Sequence, residues 1–157
     1  MSYLTVISLA EAKVYLRVDD TLTEDDNSIT MMINAALGFV EKETGVLVYD
    51  RDKTYLMVDG ERRVYDFPIN SVVSPDAADM DIDQQISYTT YCYGTDTSNL
   101  VLNVGYATPS DIPQDLIAVA YEIIDLLYYS HETGKTIKKD LSQLSREMLT
   151  KHKRFIL

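Results

Sequence analysis

Two acidic runs and two histidines are the places where this chain could do chemistry. In DMDIDQQISYTT, the spacing of Asp79, Asp81 and Asp83 copies the opening of a calcium loop. The sixth position is Gln84 where the sharp turn needs glycine, and the twelfth is Thr90 where a bidentate Glu should close the cage. The segment therefore reads as a solvated loop. In DDTLTEDD (19–26) the acids read as helix-capping, water-facing groups. His131 and His152 are far apart in sequence, and no Ser or Cys sits in a nucleophile motif. There is no glycine-rich phosphate loop, dinucleotide fingerprint or HExxH. The expectation is a protein with no catalytic residues, no metal and no cofactor. Cys92, the single cysteine, cannot form an intrachain disulfide and reads as a small apolar strand residue in a reducing compartment.

Charge is distributed unevenly. Residues 135–157 hold seven Lys/Arg against Asp140 and Glu147, a formal +5, whereas residues 1–134 hold seven against 23 Asp/Glu. The acidic body lacks the clustered cations that phosphate binding needs. With 46% hydrophobic and 25% charged residues the chain falls in the soluble globular range, and 157 residues suffice for one domain. The opening MSYLTVISLAEAKVYL has no basic n-region and does not read as a signal peptide. No run of about 18 uncharged apolar residues is present, so no membrane span is expected.

These charges are carried by elements that can be read in order. Ser8 and Glu11 form a capping box opening a short helix from Leu9 to about Arg17. Thr23 and Asp26 repeat that signature before a longer helix, whose stripe is Ile29, Met32, Ile33, Ala36, Leu37 and Val40 and whose C′ residue is Gly45. Gly38 inside it marks either a close helix crossing or simple tolerance. Between about residues 46 and 107 the period becomes two. Asp59-Gly60 supplies a turn, Pro68 and Pro75 interrupt pairing, and the strands around Ile86–Cys92 and Leu100–Tyr106 read as a hairpin region of a small sheet or partial barrel. Pro113 then opens a helix, and LIAVAYEIIDLLYY (116–129) is interrupted only by Glu122 and Asp125. A helix apolar nearly all round is either a core helix or a subunit contact. Leu116, Val119, Tyr121, Ile124, Tyr128 and Tyr129 are the contact candidates. Gly134 is expected to end this helix.

The fold class expected is α+β: a predominantly helical core of two N-terminal helices and a long C-terminal helix, with an antiparallel β insertion and a basic C-terminal arm. The division is a body, 1–134, and an arm, 135–157, partly disordered until it meets a partner. The arm could bind nucleic acid or lipid, but its charge and apolar anchors fit docking to an acidic protein surface better. Lys138, Lys139, Leu141, Leu144, Arg146, Met148, Leu149, Lys151, Lys153 and Arg154 supply the body of such an arm. Phe155, Ile156 and Leu157 supply its terminal anchors.

The order of elements resembles a known family. SLAEAKVYLRVD, an acidic turn and a helix ending in VEKETG resemble the opening of the tailed-phage head–tail connector (adaptor) proteins. LNVGYATPSDIPQDLIAVAYEIIDLLYY resembles the second hallmark of that family: a strand, Gly-Tyr-Ala, a Pro-started helix and aromatics near its end. Together these cover residues 8–45 and 100–134, about half of the chain. The resemblance implies a structural virion protein at the neck, a helical core with a β insertion, and a closed oligomer that is commonly a dodecamer. It also implies a seat under the portal protein, a downstream neck, stopper or tail protein, and double-stranded DNA passing through the lumen without specific binding. Residues 135–157 would then be the portal-binding arm. The alternative from another class is a small cytosolic regulator that binds nucleic acid through its basic tail.

Overall fold

The computed structural model describes residues 2–86, 88–133 and 140–153, with the side chains of 130–133 left aside. Gly134, Lys138, Lys139, Arg154, Phe155, Ile156 and Leu157 lie outside the described residues, as does the side chain of His131. The class is α+β.

Helix α1 spans Leu9–Leu16, and its capping box forms as expected: the Ser8 hydroxyl accepts from the Glu11 backbone N–H at 3.2 Å, while the Glu11 carboxylate accepts from the Ser8 N–H at 2.8 Å. Helix α2 spans Asp26–Thr44 and buries Ile29, Ile33, Ala36, Leu37 and Val40, with Gly45 as its left-handed cap. Its N-terminus departs from expectation. Thr23 makes no side-chain cap, because the helix starts at Asp26 and the Asp26 carboxylate is engaged elsewhere. Lys13, only 4% exposed, pairs with Asp26 at 2.5 Å and donates to the carbonyls of Leu22 and Asp20. The loop between α1 and α2 is thus folded around a buried ammonium. Gly38 needs no close crossing, since an added Cβ would meet only the Tyr3 hydroxyl at 3.8 Å.

Six strands follow: β1 (Arg51–Met57), β2 (Glu61–Val64), β3 (Ile69–Ser74), β4 (Asp81–Gln84), β5 (Thr89–Cys92) and β6 (Ser98–Val104). They form two antiparallel three-stranded sheets, β1-β6-β3 and β2-β5-β4. The expected hairpin between the last two strands is absent: β5 and β6 are neighbours in sequence but belong to different sheets. The sheets share a core of Leu47, Tyr55, Met57, Val64, Met80, Tyr91, Leu100, Leu102 and Val104. Asp59-Gly60 turns β1 into β2 as expected, both residues at positive φ. Pro68 and Pro75 bracket β3, each after a cis peptide bond. Cys92 lies on the outward face of β5 and is exposed. The acidic stretch at 81–84 is an exposed strand rather than a loop, and Asp83 accepts from the Gln85 side-chain amide.

Helix α3 spans Gln114–Thr133, and a short helix α4 spans Gln143–His152. Gly105, of the Gly-Tyr-Ala stretch, has φ +101, and a Cβ there would lie 2.0 Å from the Tyr49 carbonyl. Only glycine lets the end of β6 pass this close to the chain leaving α2. The helical core gathers Ile7, Leu16, α2, Ile112 and α3, and it includes Leu141 and Leu149.

Candidate functional site

The long apolar helix is covered by its own chain. Leu116, Val119 and Ile124 are fully buried in the subunit core against α2, so they cannot meet a neighbouring copy. Tyr121 and Tyr128 are half-buried and Tyr129 is exposed, leaving the aromatic side of α3 at the surface. The Tyr128 hydroxyl donates to Asp25 at 3.0 Å and that of Tyr129 to the Leu16 carbonyl at 3.3 Å, tying the end of α3 to α1 and to the start of α2. Asp25 and Asp26, read from sequence as water-facing caps, therefore hold α3 and α1 in place.

The expected arm is divided. Its described part, including α4, is docked and ordered by the body instead of awaiting a partner. Leu141 and Leu149 are buried, Met148 is half-buried, and Leu144 stays 61% exposed. Ser142 caps α4 by accepting from the Ser145 N–H, while the Glu122 carboxylate accepts from the Ser142 N–H at 2.6 Å and from the hydroxyls of Ser142 and Ser145. At the other end His152 and Lys151 meet Asp115 at 2.7 and 3.2 Å. Two acids of α3, Glu122 and Asp115, are thus clamps for α4. Burial works against their charge, but hydrogen bonds from Ser145 and Ser142 hold Glu122 below its ordinary value, and those from His152 and Lys151 do the same for Asp115. Arg146 and Lys153 are exposed, and Lys153 stands on the rim of a groove.

That groove, of about 790 Å3, runs between the end of α2, Arg51 and Lys53 of β1, Asp66 after β2, and Thr150 of α4. Its floor is a set of satisfied ion pairs. Glu41, 8% exposed, takes both guanidinium nitrogens of Arg51 at 3.1 and 2.7 Å, the Val48 N–H at 2.9 Å and the Tyr3 hydroxyl at 2.6 Å. Asp66 takes Lys53 at 2.5 Å and the Tyr55 hydroxyl at 2.6 Å. Burial and the adjacent carboxylates push the Tyr3 and Tyr55 hydroxyls well above the usual phenol range. Carboxylates with this many donors are held in place, and the network clamps the helical core to the sandwich. Among the described residues no three His, Cys, Asp or Glu side chains come together to hold a metal, and no helix is long and apolar enough to cross a membrane.

Sequence reasoning missed both clamps because Glu41, Glu122 and Asp115 meet partners that are mostly remote in the chain. The one legible signal was the isolation of Glu122 and Asp125 on an otherwise apolar helix.

With this geometry in hand, no family model and no curated protein sequence matches the chain. Solved structures do. A chain from the neck of an empty gene transfer agent particle, computed with C6 symmetry, superposes with a TM-score of 0.77 at 14% identity, covering 98% of this chain and 92% of that one. A chain from the virion of a native gene transfer agent particle gives 0.79 at 13%, covering 100% and 94%. The neck of the native particle, computed with C12 symmetry, gives 0.73 at 13%, covering 98% and 91%. The chain therefore shares its fold with chains from the neck and virion of gene transfer agent particles.

Proposed function

We propose that this protein is a head–tail connector subunit of a tailed phage or phage-like particle. It forms a closed ring at the neck, seats against the portal and receives the next neck or tail component. The observation that carries this reading is the near-complete mutual coverage with neck chains of particles computed with cyclic symmetry. A shared surface feature or a single shared motif would not extend over both cores, the sheet pairing and α4. Twelve copies at −11 each would repel the phosphates of DNA passing through a lumen, so the duplex is surrounded without being held. The role is mechanical and needs no catalytic group, metal or cofactor.

Portal docking falls to the basic segment 135–157: Leu144, the cations Lys138, Lys139, Arg146, Lys151, Lys153 and Arg154, and the apolar Phe155, Ile156 and Leu157. Leu141, Met148 and Leu149 support it from inside the body. The test is co-sedimentation with the portal of the same particle. Wild type should bind in ring stoichiometry, and replacement of Phe155, Ile156 and Leu157 by Ser should weaken binding more than replacement of any one lysine. No binding by wild type, together with salt-sensitive DNA binding in the absence of portal, would replace the connector with the nucleic-acid regulator.

A further inference from the structure

We infer that the sandwich tilts on the helical core as a rigid paddle, about a waist formed by residues 45–47, 67–68 and 105–106, with the Glu41–Arg51 pair as its latch. The tilt belongs to the single subunit; its use within a ring rests on the reading above.

The two cores share no residue, and among the described residues no strand lies along a helix. Each is tied internally instead, the sandwich by its ladders and the apolar centre between them, the helices by α2 against α3.

The chain changes core within a residue or two. Val46 and Val48 are buried among the helices, while Leu47 between them belongs to the sandwich. On the return, Val104 is in the sandwich and Tyr106 packs on the helical core. Backbone hydrogen bonds hold these segments to one another. The Leu47 N–H donates to the Phe67 carbonyl at 2.7 Å, and the Phe67 N–H to the Gly45 carbonyl at 3.1 Å. The Gly105 N–H donates to the Pro68 carbonyl at 2.9 Å, and the Tyr106 N–H to that of Leu47 at 3.3 Å. A waist three short segments wide thus joins the sandwich to the helices.

The first and last of these segments carry a glycine in the left-handed region, Gly45 at φ +75 and Gly105 at φ +101, where the backbone turns with no side chain to obstruct it. Gly105 lies against Tyr49, so the two crossings turn together. Units joined through so small a contact move relative to each other unless an extensive apolar interface stops them. Beside the waist lies the groove of about 790 Å3, with Gly38, Lys42 and Thr44 of α2 on one wall and Lys53 and Asp66 on the other. This is the space into which the sandwich tilts. Arg51 bridges its floor to Glu41 at 2.7 Å and resists that motion. A subunit held in a ring by its helices then offers its sandwich to the next neck component at more than one angle.

The test is pulsed electron–electron double resonance on the free, full chain. Spin labels on the exposed native Cys92 and on Met31→Cys, a position 72% exposed on α2, report the sandwich against the helices. Cys92 with Val73→Cys reports within the sandwich, and Val14→Cys with Met31→Cys, in a Cys92→Ser background, within the helices. The 31–92 distance distribution should be about twice as broad as that of either internal pair. Arg51→Met should broaden it by about a further half and leave both internal pairs unchanged. A 31–92 distribution no broader than the internal pairs, with and without Arg51→Met alike, overturns the hinge. That failure leaves the connector reading standing, because co-sedimentation with the portal tests it without reference to tilt.

Discussion

At the residue scale, two positions expose the balance between local preference and tertiary demand. Lys13 is a cation almost fully enclosed at the base of an acidic loop. Lys13→Met should cost about 2–4 kcal/mol in urea unfolding, because Asp26 and two carbonyls lose their partner together. Asp26→Asn should cost less, since the ammonium keeps its carbonyls. Gly38 is the opposite case. A Cβ fits there without contact closer than 3.8 Å, so Gly38→Ala should stabilise the protein by about 0.5–1 kcal/mol in the same assay. A loss instead would mean that the neighbouring groove closes over that glycine. The capping box of Ser8 and Glu11 was readable in advance because it involves four consecutive residues. Lys13 was not, because its three oxygen partners come from a loop whose path depends on the packing of α1 against α2.

At the element scale, α4 is the informative case. Its helical spacing was legible, but its docking was not. Docking depends on Glu122 and Asp115, which lie 20 and 37 residues from their partners Ser142 and His152, and no local pattern records such a distance. Leu149→Ala should cost about 2–4 kcal/mol and raise amide exchange across 143–152. Acid should act in the same place. Both clamp carboxyls are held below their ordinary values of 4.5 and 3.8, so their contribution is complete above those values and is lost as pH falls beneath them. Hydrogen exchange of α4 should therefore rise below about pH 4 before the sandwich responds. Glu122→Gln should flatten that dependence, and an unchanged pH profile would remove Glu122 from the clamp. The strands show the same division. Alternation identified them, yet the separation of β5 and β6 into different sheets followed from long-range pairing that alternation does not encode.

At the scale of the whole molecule, the class and the element order were visible from the chain alone, whereas the boundary between body and arm was drawn too early. Two cores meet at the Glu41–Arg51 clamp and at the close approach of Gly105 to Tyr49. Leu102→Ala should cost about 2–5 kcal/mol and release amides of β1 and β3 ahead of those in α2. Equal acceleration throughout would show that the cores open as one unit.

The helical core runs in sequence from Ile7 to Leu149, while the sandwich core is complete between Leu47 and Val104. On the ribosome this nests one unit inside the other. The sheets have all their residues available while α4 is still to be synthesised, and the helical core, whose segments flank them in sequence, waits for α4 to emerge. A product stopped short of Leu141 would hold a complete sandwich beside an open, apolar α2–α3 face. Premature termination would therefore yield a sticky intermediate, not a smaller working part.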